Sequence, residues 1–253
     1  MRLFAGSTQN RVFRPVDVPR LLAKGLGFAA VYYGDIDPDF DGGIAHGVRS
    51  LHPSLAAGYW GTIAAWGWGL SRALDYLETD KAVDSKRVGI MGVSRLGKTV
   101  LWAGARDERF ALVIASCSGE GSAALARRNY GENIKHMGLR FGYQFAPAYQ
   151  TWGDRVQEWP VDSHMLISLI APRPLLLQTG AREAGKCSSR TRGGLIFTPG
   201  WLQARIFDLL HSNEQSLLWL IRFPSGSSCI GIAFAPGSSC IGQDSQPVYS
   251  TPL

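Results

Sequence analysis

The sequence has few cysteines, no long apolar run and no concentrated basic segment. Its four cysteines show neither CxxC spacing nor neighbouring histidines, which argues against a zinc site. No apolar run approaches the roughly 20 residues that cross a bilayer, and the N-terminus lacks the apolar segment of a secretory signal peptide. The formal net charge is +6, but the basic residues are scattered and Arg127-Arg128 is their densest cluster. We therefore expect no metal, no membrane span and no nucleic-acid partner.

The pattern of apolar residues predicts strands that alternate with helices. A hydrophobic content of 45% over 253 residues is enough for one sizeable α/β domain. Such alternation indicates a mostly parallel sheet with helices on both faces. Residues 117–160, rich in Gly and Arg, are interpreted as a loop. The predicted strands cover residues 27–33, 88–92, 110–115 and 174–179, and the predicted helices cover residues 61–77, 96–105 and 163–169.

The character of the chain changes after about Gly180. Residues 184–253 contain only three acidic residues, Asp208, Glu214 and Asp244, and do not continue the alternation of strand and helix. Within them only residues 201–220 show helical spacing. We therefore predict a partial α/β domain over residues 1–180 and an atypical segment over residues 181–253.

The segment Gly92-Val-Ser-Arg-Leu-Gly-Lys-Thr99 matches two motifs at once. It fits G-x-S-x-x-G, a variant of the nucleophile elbow of α/β hydrolases. It also fits G-x-x-x-x-G-K-[ST], the phosphate-binding P-loop. Both motifs lie between a strand and a helix, so their placement does not separate them. A purely structural strand–turn–helix is the third interpretation.

The surrounding sequence favours the elbow over the P-loop. A P-loop NTPase needs an acidic residue at the end of another apolar strand to hold Mg²⁺. Here the candidate strands end in Ile114-Ala115-Ser116 and Leu177-Gln178-Thr179, without an aspartate. A P-loop also commonly follows the first strand of its domain, whereas this motif follows a strand and a long helix.

The elbow interpretation has a physical rationale. A sharp strand-to-helix turn presents the Ser94 hydroxyl as a nucleophile, and crowding there requires small residues at Gly92 and Gly97. The helix N-terminus places partial positive charge beside a developing oxyanion. Arg95 adds a full charge to that stabilisation, and Lys98, one turn further, is positioned to bind a carboxylate or a sugar hydroxyl.

With these residues in view, the chain resembles the glucuronoyl esterases of carbohydrate esterase family 15, especially the bacterial members. The resemblance runs from about Val16 to Gly180 and rests on six blocks in the expected order. These blocks are Val31-Tyr-Tyr-Gly-Asp-Ile-Asp-Pro-Asp-Phe40, Trp60-Gly-Thr-Ile-Ala-Ala-Trp66, Gly92-Val-Ser-Arg-Leu-Gly-Lys98, Arg127-Arg-Asn-Tyr-Gly-Glu132, Pro160-Val-Asp-Ser-His164 and Leu169-Ile-Ala-Pro-Arg-Pro174.

The resemblance implies an α/β-hydrolase fold and a serine esterase. The family hydrolyses the ester that joins 4-O-methyl-glucuronic acid on xylan to lignin alcohols, without a metal or an organic cofactor. Ser94 then corresponds to the nucleophile, Arg95 supports the oxyanion, and Lys98 and Glu132 contact the glucuronate. The alternative for Glu132 is an ion pair with Arg127 or Arg128. The implied partner is a polysaccharide bearing glucuronic acid, and the implied location is secreted or periplasmic.

The sequence departs from the family pattern in its triad acid and its base. Cys117 stands where many members carry the acid, and Glu120, three residues on, is a fallback. Other members place the acid after the strand that follows the Pro174 block, where Glu183 is the candidate. Cysteine cannot orient an imidazole as a carboxylate does. No catalytic histidine is identifiable, since His211 lacks the family context.

These departures leave three hypotheses for the function. The first is a serine carboxylic-ester hydrolase acting on glucuronate esters, whose domain we expect to be incomplete at its N-terminus and divergent after residue 180. The second is a catalytically impaired protein that binds uronic-acid sugars through Arg95, Lys98 and Glu132. The third and most remote is a P-loop nucleotide-binding protein.

Overall fold

The computed structural model describes residues 18–52, 59–128, 131–178, 195–197 and 229–236. Six α-helices and six strands are formed in these ranges. The helices are α1 (Val18–Ala23), α2 (Thr62–Thr79), α3 (Arg95–Arg106), α4 (Ile134–Phe141), α5 (Pro147–Gln150) and α6 (Ser163–Ser168). The strands are β1 (Gly27–Tyr32), β2 (Val83–Val93), β3 (Leu112–Ser116), β4 (Leu175–Gln178), β5 (Leu195–Phe197) and β6 (Cys229–Pro236).

The six strands form one sheet in the order β1-β6-β2-β3-β4-β5. The central strands β2, β3 and β4 are parallel, with Val93 opposite Ser116 and Ser116 opposite Gln178. The pairs β1–β6, β6–β2 and β4–β5 are antiparallel. The predicted α/β fold is confirmed, and antiparallel strands extend its parallel centre on both sides.

Helix α2 supplies much of the apolar core. The predicted stripe on this helix is fully confirmed, since all its members are buried: Ile63, Trp66, Leu70, Leu74 and Leu77. These side chains pack with Val88 and Ile90 of β2 and with Leu96 and Val100 of α3. Burial of each large apolar side chain contributes about 1.5–3 kcal/mol, so this layer holds the elbow segment between β2 and α3 firmly in place.

The interpretation of residues 117–160 as a loop is wrong. The segment contains α4 and α5, and Asn133 caps α4 by accepting a hydrogen bond from the amide of His136 at 2.8 Å. Ile134 and Met137 of α4 pack with Tyr149 of α5 in a second, smaller apolar cluster. Helices this short form because tertiary packing stabilises them, and sequence periodicity does not detect such helices.

Two strands of the sheet come from residues 181–253. Strand β5 pairs with β4, and β6 lies between β1 and β2. The predicted helix over residues 201–220 lies outside the described residues, and the division of the chain at residue 180 stays a prediction. No helix of the described part is long and apolar enough to cross a membrane.

Candidate active site

Ser94 occupies the turn between β2 and α3 in a strained backbone conformation. Its φ is 58° and its ψ is −122°, and the residue is exposed. A non-glycine residue in such a conformation costs of the order of 1–3 kcal/mol, and such strain is concentrated at functional sites. The described geometry is therefore that of a nucleophile elbow.

The two glycines of the motif sit where the backbone is crowded. A Cβ atom on Gly92 would lie 2.3 Å from the carbonyl oxygen of Leu96. A Cβ atom on Gly97 would lie 2.8 Å from the carbonyl oxygen of Ser116. The prediction that these two positions need small residues is confirmed.

The turn is joined to the end of the neighbouring strand. The amide of Ser94 donates a hydrogen bond to the carbonyl oxygen of Ser116 at 2.8 Å. Cys117 follows directly, with a φ of 47°. Because parallel strands β2 and β3 end at the same edge of the sheet, Cys117 and Ser94 share that edge. The side chain beside the elbow at this point is therefore a thiol, and a carboxylate there would be required for a triad acid.

Arg95, the first residue of α3, pairs with Asp39 from the turn after β1. The Asp39 carboxylate also accepts hydrogen bonds from Tyr143 and Gln144, at 3.1 and 2.7 Å. Burial and the negative charge of Asp39 raise the pKa of Tyr143 to about 12, so its phenol stays protonated at neutral pH. Sequence reasoning misses this role of Asp39, because a local pattern does not show which distant residue a carboxylate binds.

Lys98 lies one turn beyond Arg95 and points into the protein. Its side chain is buried, and its ammonium donates hydrogen bonds to the carbonyl oxygens of Ser118 and of Glu120, the latter at 2.6 Å. Burial lowers the pKa of Lys98 to about 8, although the charges of Glu132 and Glu120 act in the opposite direction. The ammonium therefore braces the loop that follows β3.

Glu132 is half-buried within electrostatic reach of Lys98. The family resemblance assigns both residues to one sugar site, and the fold brings their charges together. Arg127, one of the two alternative partners for Glu132, instead forms an ion pair with Asp162 at 3.2 Å. That interaction ties the 3-10 turn Ala126–Arg128 to the start of α6, where Asp162 also caps the helix.

Glu120 lies in the interior. It is 2% exposed, and its Oε1 has no hydrogen-bond partner among the described residues. Burial raises the pKa of Glu120 to about 7; the amide of Gly121 and the charge of Lys98 lower it only in part. A carboxyl group in this environment is poised between its acid and its base form near neutral pH.

The remaining predicted members of a triad are not described. Glu183 and His211 lie outside the described residues. The four described histidines are all exposed: His46, His52, His136 and His164. No group of three or more His, Cys, Asp or Glu in the described ranges could hold a metal ion.

Comparison with known proteins decides the family. A family model described as glucuronyl esterase, fungi, matches residues 51–194, which is more than half of the chain. The chain belongs to the glucuronyl esterase family. The resemblance found in the sequence is thereby confirmed, and the elbow interpretation is favoured over the P-loop. In the structure, the ammonium of Lys98 also contacts interior carbonyls, whereas a P-loop lysine reaches the phosphates of a nucleotide.

Two individual relatives match 66% and 46% of this chain. "Carbohydrate esterase MZ0003", from an unknown prokaryotic organism, is 47% identical over 170 residues, or 66% of this chain and 39% of the relative. A 4-O-methyl-glucuronoyl methylesterase of Podospora anserina is 36% identical over 125 residues, or 46% of this chain and 26% of the relative.

Among solved structures, a glucuronoyl esterase from Solibacter usitatus superposes with a TM-score of 0.59 at 46% identity. The match covers 62% of this chain and 41% of that enzyme. The chain thus spans well under two thirds of the length of the relatives that it matches.

Proposed function

We propose that this chain is a serine carboxylic-ester hydrolase that cleaves esters of glucuronic acid. The observation that carries the proposal is Ser94, exposed and strained at the strand-to-helix turn of a glucuronyl esterase family member. Relatives named 4-O-methyl-glucuronoyl methylesterase support this substrate class.

In the proposed reaction, the Ser94 hydroxyl attacks the ester carbonyl carbon and its proton passes to a general base, for which we propose no residue. Collapse of the tetrahedral intermediate releases the alcohol, and water then hydrolyses the acyl-enzyme. The amide of Arg95, its guanidinium and the N-terminus of α3 lie beside the elbow, where they would stabilise the oxyanion. Glu183 remains the proposed triad acid.

Lys98 and Glu132 are the proposed contacts for the glucuronate. A lysine ammonium has three N–H donors, and two of them go to the carbonyls of Ser118 and Glu120. The third would bind a sugar hydroxyl, and the carboxylate of Glu132 would accept a hydrogen bond from a second hydroxyl. Ordering of Lys98 by the loop carbonyls lowers the entropy lost on binding.

The proposed partner is a polysaccharide that bears glucuronic acid, such as xylan. A polymer of this kind does not cross a membrane, so we propose that the enzyme acts outside the cytoplasm. The ester bond itself needs no redox chemistry, and the proposal includes no cofactor.

One observation favours a second function, the binding of uronic acids without turnover. Cys117 stands at the edge of the sheet beside Ser94, where many members of the family carry the triad acid. A serine hydrolase with an impaired triad retains only the acceleration that its oxyanion site and binding contribute.

Hydrolysis of the methyl ester of 4-O-methyl-glucuronic acid by the purified chain separates the two functions. We expect turnover in the wild type, loss of turnover in Ser94→Ala, and full activity in the matched Ser50→Ala, which changes an exposed serine whose hydroxyl donates only to the carbonyl oxygen of Gly47 among the described contacts. Calorimetric binding of glucuronate by a wild type that shows no turnover would overturn the esterase proposal in favour of the binding protein.

A further inference from the structure

We propose that Asp39 is a positioning residue that holds the Arg95 guanidinium beside the nucleophile. This proposal rests on the esterase function proposed above, in which Arg95 stabilises the oxyanion. Asp39 itself does not contact the reacting atoms; it acts through Arg95.

The two residues come from distant parts of the chain. Asp39 follows β1, and Arg95 directly follows the Ser94 nucleophile, 56 residues later. The guanidinium Nη1 donates a hydrogen bond to Oδ2 of Asp39. The side chain of Asp39 is 7% exposed and that of Arg95 is 41% exposed, so the carboxylate forms the buried base of the pair and the guanidinium faces the solvent-accessible side.

The second oxygen of the Asp39 carboxylate is fixed by other donors. Oδ1 accepts hydrogen bonds from Nε2 of Gln144 at 2.7 Å and from the hydroxyl of Tyr143 at 3.1 Å. The Tyr143 hydroxyl also lies 3.2 Å from the main-chain oxygen of Asp39. A carboxylate that accepts hydrogen bonds from several directions has one favoured orientation. The guanidinium that it binds is then held in one favoured orientation as well.

The turn that carries these donors is itself braced against the start of α2. Thr62 donates a hydrogen bond to the carbonyl oxygen of Tyr143 at 3.0 Å, and Arg49 donates to the Thr62 hydroxyl at 2.6 Å. A Cβ atom on Gly61 would lie 2.4 Å from the carbonyl oxygen of Gln144, so only glycine admits this close approach. The support of Asp39 therefore reaches into the packed core.

Positioning matters because a partly exposed arginine is flexible. Its side chain loses about 2 kcal/mol of rotamer entropy when it is fixed. An oxyanion donor is most effective when it is already oriented before the reaction begins. Asp39 supplies that orientation in the resting protein, through its ion pair with Arg95.

Asp37, two residues earlier, shows what a purely structural aspartate in the same turn looks like. It is fully buried and binds Arg49 through both carboxylate oxygens, at 2.8 and 3.0 Å. Its main-chain oxygen accepts a hydrogen bond from the Trp66 indole at 2.7 Å. Asp37 thus fastens the turn to α2, and only Asp39 reaches the elbow.

The kinetic test compares Asp39→Asn with Asp41→Asn, a matched change at an exposed position of the same turn. We expect kcat for the glucuronate ester to fall about 10-fold or more in Asp39→Asn, with KM changed less than about threefold, because the lost interaction acts in the transition state. Asp41→Asn keeps the wild-type kcat. In an Arg95→Ala background, Asp39→Asn causes no further loss. If the losses of kcat in Asp39→Asn and Arg95→Ala multiplied in the double variant, or if Asp39→Asn kept the wild-type kcat, the proposal would be overturned.

A spectroscopic test does not depend on turnover. In the ¹⁵N-labelled protein, the Nε–Hε resonance of Arg95 is assigned by its loss in Arg95→Lys. We expect Asp39→Asn and Tyr143→Phe to shift it and Asp41→Asn to leave it in place. An unmoved resonance in Asp39→Asn overturns the positioning proposal. A shifted resonance in a chain without esterase activity keeps the positioning role and overturns only the proposed function.

Discussion

The amide of Ser94 donates a 2.8 Å hydrogen bond to the carbonyl oxygen of Ser116, and this bond joins the turn between β2 and α3 to the end of the adjacent strand β3. Gly97 packs against the same carbonyl, with room for no more than a hydrogen atom. Any displacement of Ser116 therefore moves Ser94, the proposed nucleophile. The elbow is a unit made by two strands and a helix.

Gly97→Ala should disturb this unit. The new Cβ would meet the Ser116 oxygen at 2.8 Å and the Cβ of Ser118 at 3.0 Å, so the backbone has to shift. Overpacking of this kind costs about 1–3 kcal/mol, which exceeds the gain of about 1 kcal/mol from replacing glycine by alanine in a helix. Urea unfolding should show a net loss of stability.

Gly67→Ala is the matched control, since Gly67 also lies within a helix. Its Cβ would lie 3.1 Å from Cδ1 of the Trp102 ring, which is exposed and able to move, and at an ordinary van der Waals distance of 3.7 Å from Ala103. We expect Gly67→Ala to be neutral or stabilising by up to about 1 kcal/mol. Equal effects of the two substitutions would contradict the crowding argument.

Ser94→Gly should stabilise the protein while removing the proposed nucleophile. Glycine adopts a φ of 58° without the steric cost that serine or alanine incurs. We therefore expect Ser94→Gly to be more stable than Ser94→Ala by about 1–2 kcal/mol in urea unfolding. At Ser168, the last residue of helix α6, the same pair of substitutions should rank in the opposite order, because glycine is the poorer helix former. If the glycine variant were the more stable one at both positions, or the alanine variant at both, the backbone at Ser94 would not be strained.

The strand–turn–helix around Ser94 and the buried stripe of α2 could be predicted because they depend on local periodicity and on backbone crowding. The pairing of Asp39 with Arg95 could not, since it joins segments 56 residues apart through tertiary packing. The acceptors of Lys98 are main-chain carbonyls, which any residue possesses, so no residue type marks them. The proposed common site of Lys98 and Glu132 rests on the family resemblance, since no local pattern links the two residues.

Glu120→Gln should change how stability depends on pH. Burial raises the pKa of Glu120 from its ordinary value of 4.5 to about 7 in the folded protein. A carboxyl group with a raised pKa contributes stability below pH 4.5, and this contribution is lost as the pH rises through 7. The reason is that between pH 4.5 and 7 the carboxyl group is more protonated in the folded than in the unfolded state. Relative to Glu120→Gln, the wild type should lose up to roughly 3 kcal/mol between pH 4.5 and 7.

The measurement is urea unfolding of both proteins at several pH values within this interval. Glu158→Gln changes an exposed glutamate and should follow the wild-type profile. Parallel profiles for the wild type and Glu120→Gln would show that the buried carboxyl keeps an ordinary pKa.

Arg49→Met should be the most destabilising of these substitutions. Arg49 is the partner of the fully buried Asp37, and removal of one member leaves an uncompensated charge in the core. Breaking such a pair costs about 3–5 kcal/mol in urea unfolding. Lys135→Met breaks an ion pair of the same length, 2.8 Å, but its members are 58% and 76% exposed, so the loss should stay below about 1 kcal/mol.

The double variant Asp37→Asn/Arg49→Met distinguishes a buried charge from a lost packing contact. If the charge left on Asp37 causes the damage, neutralising it recovers part of the stability lost in Arg49→Met, and the two substitutions are not additive. If the methylenes of Arg49 matter more, the double variant is less stable than either single variant. We expect partial recovery, because the Thr62 hydroxyl keeps its hydrogen bond to the carbonyl oxygen of Tyr143 and the Trp66 indole keeps its hydrogen bond to the main-chain oxygen of Asp37.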